Sequence, residues 1–254
     1  MNRTENAQAT GVDRRAGAIT TDVEKAPQEG LSIYLTVTAL GLIVVLLLSS
    51  VLGVLDAPTG ISVSEKIASL ASKLTLQQAE YIVDAFIPLF NFGLVAGVGL
   101  FVETDPSLRY LSRIGVLFAS IYAALSVSLY IGLLVLVYIL AQGGSIANVY
   151  WPLWALAVPT FSHLSYAIFG IGAIMVSVGL MRERGARRWG GWSLCATGII
   201  FILAFPAQVV IGFEPALLML WLGGLAAISF AVAMIVYVRG FGSRGHGAVS
   251  SSTR

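Results

Sequence analysis

The chain has 254 residues, of which 57% are hydrophobic and 11% charged, with a mean hydropathy of +0.86 and a formal net charge of +2. Soluble domains carry roughly 25% charged residues, so a deficit this large excludes an ordinary soluble domain and marks surface that faces lipid, where charge is costly. A β-barrel is excluded too, because its strands would alternate polar and apolar side chains, whereas the apolar runs here are unbroken over whole helix lengths.

Residues 1–30 are polar, carry charges of both signs and repeat no apolar face, which predicts a disordered tail. The first span is expected over 31–55, ended by Asp56-Ala57-Pro58-Thr59-Gly60. Residues 61–80 differ from the rest. Ser62 and Glu65 have capping-box spacing, and Ile67, Leu70 and Leu74 form one apolar stripe with Lys66, Ser69, Ser72 and Lys73 largely off it. This predicts a short amphipathic helix on the outer membrane surface. Thr75 and Gln78 repeat the capping spacing and predict a new helix start.

Further spans are expected over 82–102, 114–140, 152–181, 192–213 and 216–238, followed by a Gly- and Ser-rich tail over 239–254. The fourth is entered through Tyr150, Trp151 and Trp154, an aromatic anchor, and closes on the basic cluster Arg182, Arg184, Arg187 and Arg188. Gly212-Phe213-Glu214-Pro215 reads as a tight turn. The fold class predicted is therefore all-α, one bundle of six transmembrane helices over 31–238, with the lipid bilayer rather than nucleic acid as partner.

The basic residues orient the bundle. With both termini inside, the inner segments hold Arg3, Arg14, Arg15 and Lys25, then Arg109 and Arg113, then the 182–188 cluster, then Arg239, Arg244 and Arg254. Only Lys66 and Lys73 fall outside. The positive-inside rule therefore predicts a cell-membrane protein with both ends cytoplasmic.

Pro88, Pro159 and Pro206 lie near one depth if the expected span limits hold, and each would free the carbonyl four residues earlier. Polar side chains follow each of them: Asn91, then Ser162 and His163, then Gln208. Asp84, Pro88 and Asn91 share one helical face, as do Pro159, His163, Tyr166 and Gly170. Asp84, Asn91, Ser162, His163 and Gln208 thus define a candidate polar pocket in the outer half, with Asn91 expected to face His163 and Gln208 nearby. Under the blander reading, these are interhelical hydrogen bonds, and Asp84 and Glu214 are carboxylates at the interface.

Catalytic patterns are missing from the sequence. No second histidine lies in a span to make a bis-histidine haem site, no lysine lies in a span to hold retinal, and Ser162 beside His163 is no hydrolase signature. No cofactor is expected, and the single Cys195 reads as a small buried hydrophobe. Gly93-x-x-x-Gly97, Gly223-x-x-x-Ala227 and Ala227-x-x-x-Ala231 predict close-packed helix faces. Two functional readings remain: a non-enzymatic structural, regulatory or accessory membrane protein, or a transporter or binding protein for an ion or small molecule.

Overall fold

The computed structural model describes residues 6–56, 72–102, 106–141 and 158–247. Six helices account for them: α1 (Asn6–Asp56), α2 (Leu74–Val102), α3 (Arg109–Ala141), α4 (Val158–Met181), α5 (Ala186–Val210) and α6 (Phe213–Gly247). Each contains a segment long and apolar enough to cross a bilayer. The protein is a multi-pass helical membrane protein.

Every sequential pair packs antiparallel. Gly41 of α1 lies against Phe90 of α2, while Gly93 lies against Thr38 and Gly97 against Leu35. Gly99 meets Val116 and Ser112 of α3, and Gly172 of α4 meets Gly115. Further round, Gly198 of α5 meets Gly170, and Gly223 of α6 meets Phe201. α6 returns to α1, closing the ring, and α2 touches α4 across its centre. The turns at 106–108 and 182–185 lie at one end, here the basic end, and the α5–α6 turn lies at the opposite end.

Packing of α4 sets the spacing. A Cβ on Gly172 would stand 2.5 Å from the Gly115 carbonyl oxygen, and one on Gly170 would stand 2.5 Å from the Gly198 carbonyl oxygen. The reverse contacts, from Gly115 and Gly198, are 2.8 Å and 2.6 Å. Residues two apart on a helix point to nearly opposite sides, so α4 presses its backbone against α3 with one glycine and against α5 with the other. The expected small-residue faces also pack: Gly93 and Gly97 against α1, Gly223 against α5, with Ala227 and Ala231 buried. At the centre, Tyr122, Tyr166, Phe169 and Phe201 form one aromatic cluster, with centroids 4.8 Å apart for Tyr122–Phe169 and Tyr166–Phe201.

Several boundaries move. α2 begins at Leu74, not at 82, and the carbonyl of Lys73 accepts from the N–H groups of Leu76 and Gln77. The repeated capping spacing, with Thr75 as the cap, places the first helical residue two residues past this start. α3 and α5 begin at Arg109 and Ala186, earlier than expected, because polar first turns can extend beyond the apolar run. α1 and α6 run on to Asn6 and Gly247, where disordered tails were expected. Extending an existing helix avoids the nucleation cost, and Ala, Gln, Glu and Arg in residues 6–29 favour it, while Pro27 within the run opposes it. The expected surface helix falls mainly on 57–71, and the aromatic anchor on 150–154, both outside the described residues.

Gly185 (φ 62°) and Gly212 (φ 116°) make the short α4–α5 and α5–α6 turns, a backbone region open mainly to glycine. Pro215 stands in the first turn of α6, where a missing N–H costs nothing.

The glycine contacts yield a paired prediction. Gly198→Val should lower the thermal unfolding midpoint of the detergent-purified protein, consistent with overpacking costs of about 1–3 kcal/mol. Gly132 is exposed in the middle of α3 with nothing within 4 Å of its Cβ position. Gly132→Ala should leave the midpoint unchanged or raise it, since alanine is favoured over glycine in a helix by about 0.5–1 kcal/mol. Equal loss in both variants would show that the close contacts do not set stability.

Candidate functional site

The polar residues inside the bundle fall into two groups rather than one pocket. The first is centred on α2, α3 and α4. Asn91 is buried, and its Nδ2 donates to the Tyr122 hydroxyl at 3.3 Å. The Tyr166 hydroxyl is within hydrogen-bonding reach of those of Tyr122 and Tyr130. Asp84 bonds Ser49 of α1 and lies in electrostatic range of all three tyrosines. One turn from Asn91, Ser126 donates to Ser165 at 2.9 Å, and Ser165 donates to the Ser162 carbonyl at 2.8 Å.

The second group joins α4 to α5. His163 is buried, with Nδ1 2.6 Å from the Pro159 carbonyl oxygen. Gln208 of α5 sets one amide atom 2.8 Å from that Nδ1 and 3.2 Å from the Pro159 oxygen, and the other 3.3 Å from the Thr160 N–H. The Gln208 amide also lies 3.4 Å from the Thr160 hydroxyl. Exchanging the amide oxygen and nitrogen corresponds to exchanging the imidazole tautomer. With its amide oxygen toward Thr160, Gln208 accepts from the Thr160 N–H and donates to the Pro159 carbonyl, tying α5 to the backbone of α4.

Gln208 lies beside His163, whereas Asn91, expected to face His163, is bonded elsewhere. Asn91 bonds Tyr122 of α3. The tyrosines of α3 were missed as site residues, although Tyr122, Ser126 and Tyr130 recur at i, i+4 and i+8 and so share a face. Ser162 contributes its carbonyl to this network.

Pro159 and Pro206 lie at similar height, because Gln208 of α5 reaches the Pro159 carbonyl oxygen at 3.2 Å. Pro159 is the second described residue of α4. Pro88 lies well inside α2, and Pro206 lies four residues before the end of α5. Asp84 lies further along its helix than expected. With α2 starting at Leu74, it is ten residues into the helix, roughly 15 Å from its start at 1.5 Å per residue.

A cavity of about 70 Å³ lies where α1, α2, α4, α5 and α6 meet, lined by Leu46, Asn91, Tyr166, Phe201 and Gly224 among others. Its lining includes Asn91 but not Asp84, His163, Ser162 or Gln208. Liquid water occupies roughly 30 Å³ per molecule, so the space suits a water or two.

The basic cluster forms the α4–α5 turn. Arg182, Arg184 and Arg188 are exposed. Arg187 sits in the first turn of α5, an unfavourable place for a cation next to the helix dipole. It is held by Glu183 at 3.4 Å and by the Tyr237 ring of α6, whose centroid is 4.2 Å away.

Among the described residues, no three His, Cys, Asp or Glu side chains gather in a group that could hold a metal ion. Comparison with protein-family models, with curated proteins and with solved structures finds no match to this chain.

The two-group arrangement is checked by double-mutant cycles. Asn91→Leu combined with Tyr122→Phe should show a coupling of about 0.6 kcal/mol and below about 2, the range for hydrogen bonds within bilayers. Asn91→Leu combined with His163→Leu should be additive within about 0.5 kcal/mol. Strong coupling in the second pair would restore the single pocket.

Proposed function

We propose that this protein is a non-enzymatic structural or accessory component of the cell membrane, with both termini cytoplasmic. The observation that carries this reading is the way the interior polar groups are used. Asn91 is bonded to Tyr122, Ser126 to Ser165, Ser193 to Ser229, and His163 lies against Gln208 and Pro159. These side chains join helices to one another. A transporter would leave such groups facing a water-filled route.

Cavity size supports the same reading. Sites for small molecules typically measure about 300–1,000 Å³, several times the 70 Å³ space beside Asn91. The orientation rests on the basic residues, thirteen of which lie in segments that a common side would gather.

A reporter active only in the cytoplasm should work when fused after Arg188 and fail when fused after Gly144. Proteoliposomes holding the protein should be no more permeable to small polar solutes than protein-free vesicles. Reporter activity after Gly144 would overturn the orientation, and solute flux abolished by Asn91→Leu would favour transport.

A further inference from the structure

We infer that Asp84 is the carboxylate of a site for one monovalent cation, a proton or Na⁺, set between α1, α2 and the tyrosines of α3 and α4. The inference does not depend on the accessory role, because a resident cation requires no transport.

Depth is the first observation. The α1–α2 register, with Gly53 against Glu80 and Gly41 against Phe90, places Asp84 beside Ser49. Ser49 is six residues inside the α1 span, which ends at Leu55, or roughly 9 Å. From the start of α2 the same carboxyl is roughly 15 Å in. Both counts place Asp84 inside the apolar spans and at least roughly 9 Å from their ends.

The second observation is an unmet charge. Asp84 Oδ1 is buried and has no hydrogen-bond partner among the described residues. The groups facing the carboxyl are Ser49 from α1, Tyr122 and Tyr130 from α3, and Tyr166 from α4. Along α2 itself, Glu80 lies one turn away and adds no positive charge. Lys73 of the same segment is directed to the Leu55 carbonyl at 3.0 Å. No basic side chain among the described residues pairs with Asp84. A buried carboxylate without compensation is expensive in a protein interior and more so in a bilayer. The stable state therefore carries a positive charge that the described side chains do not supply.

The available oxygens suit a small hard cation. Asp84 offers its carboxyl group, and Ser49 offers a hydroxyl beside it. Pro88 has no N–H to give to the Asp84 carbonyl four residues before it, so that main-chain oxygen lacks its helical partner. Freed helix carbonyls near a carboxylate are a recurrent way of holding Na⁺ at membrane depth. Gln77, two turns nearer the helix start and on the same face, is fully buried with both amide atoms unpartnered among the described residues. It extends the polar row from Asp84 toward the opposite end, the side from which a cation would enter.

The experiment uses the full chain in detergent, with infrared spectroscopy at neutral pH in choline chloride and then in NaCl at equal ionic strength. The expected result is a protonated-carboxyl C=O band in choline that is lost in Asp84→Asn. If the proton is the resident, the band survives Na⁺. If Na⁺ competes, the band falls on Na⁺ addition, one proton per protein is released into weak buffer, and the thermal midpoint rises, all absent in Asp84→Asn. An Asp84 carboxylate that is ionised in choline, with neither proton release nor a midpoint change in NaCl, would falsify the site. Should Asp84→Asn fail to fold, Ser49→Ala supplies the readout. Removing the neighbouring hydroxyl must shift the band or weaken the Na⁺ response at least several-fold, and an unchanged response overturns the assignment.

Discussion

The fold depends on the backbone contacts of α4 with its two neighbours. Gly172 meets Gly115 of α3 and Gly170 meets Gly198 of α5, each close enough that a methyl group on either side would collide with a carbonyl oxygen. In a bilayer, lipid tails are as apolar as leucine, so helix association gains little from hydrophobicity and leans on packing. Contact between bare backbones gives the greatest density of van der Waals partners. It also draws Tyr122, Tyr166, Phe169 and Phe201 into one aromatic cluster at the centre.

That spacing decides where polar groups can meet. With α3 held against α4, Ser126 reaches Ser165, and the hydroxyls of Tyr122 and Tyr130 reach Tyr166. Asn91 of α2 is then closed by Tyr122. The α4–α5 contact likewise brings Gln208 onto α4, beside His163 and Thr160. Each polar cluster therefore follows from a close backbone approach nearby. Asp84 and Gln77 depart from this pattern, because one carboxyl oxygen and both amide atoms stay buried without a partner among the described residues.

The basic end is organised by charge and stacking. Four arginines crowd the turn between α4 and α5, and two of them fall in the first turn of α5, against its dipole. Glu183 and the Tyr237 ring offset this at Arg187, tying the turn to α6. Arg182, Arg184 and Arg188 remain exposed at the level where lipid headgroups would lie.

What could be read from the sequence was whatever depends on local composition. Unbroken apolar runs gave six helices, because a bilayer requires internally bonded backbone over a fixed length. Gly93-x-x-x-Gly97 marked the face of α2 that meets α1, because i, i+4 spacing stays on one side of a helix. Periodicity also kept Asp84 and Asn91 on one face. Helix starts were less legible: Leu74 and Arg109 precede the apolar runs, and hydropathy is blind to polar first turns, so Asp84 lies further along its helix than the apolar run implied. Which helix answers which was not legible at all. A face says that a residue points inward, not which neighbour it meets, and the choice of Tyr122 rather than His163 for Asn91 was made by the order of helices around the ring. That order comes from glycine contacts between segments far apart in sequence, a property of the packed bundle that no single stretch contains.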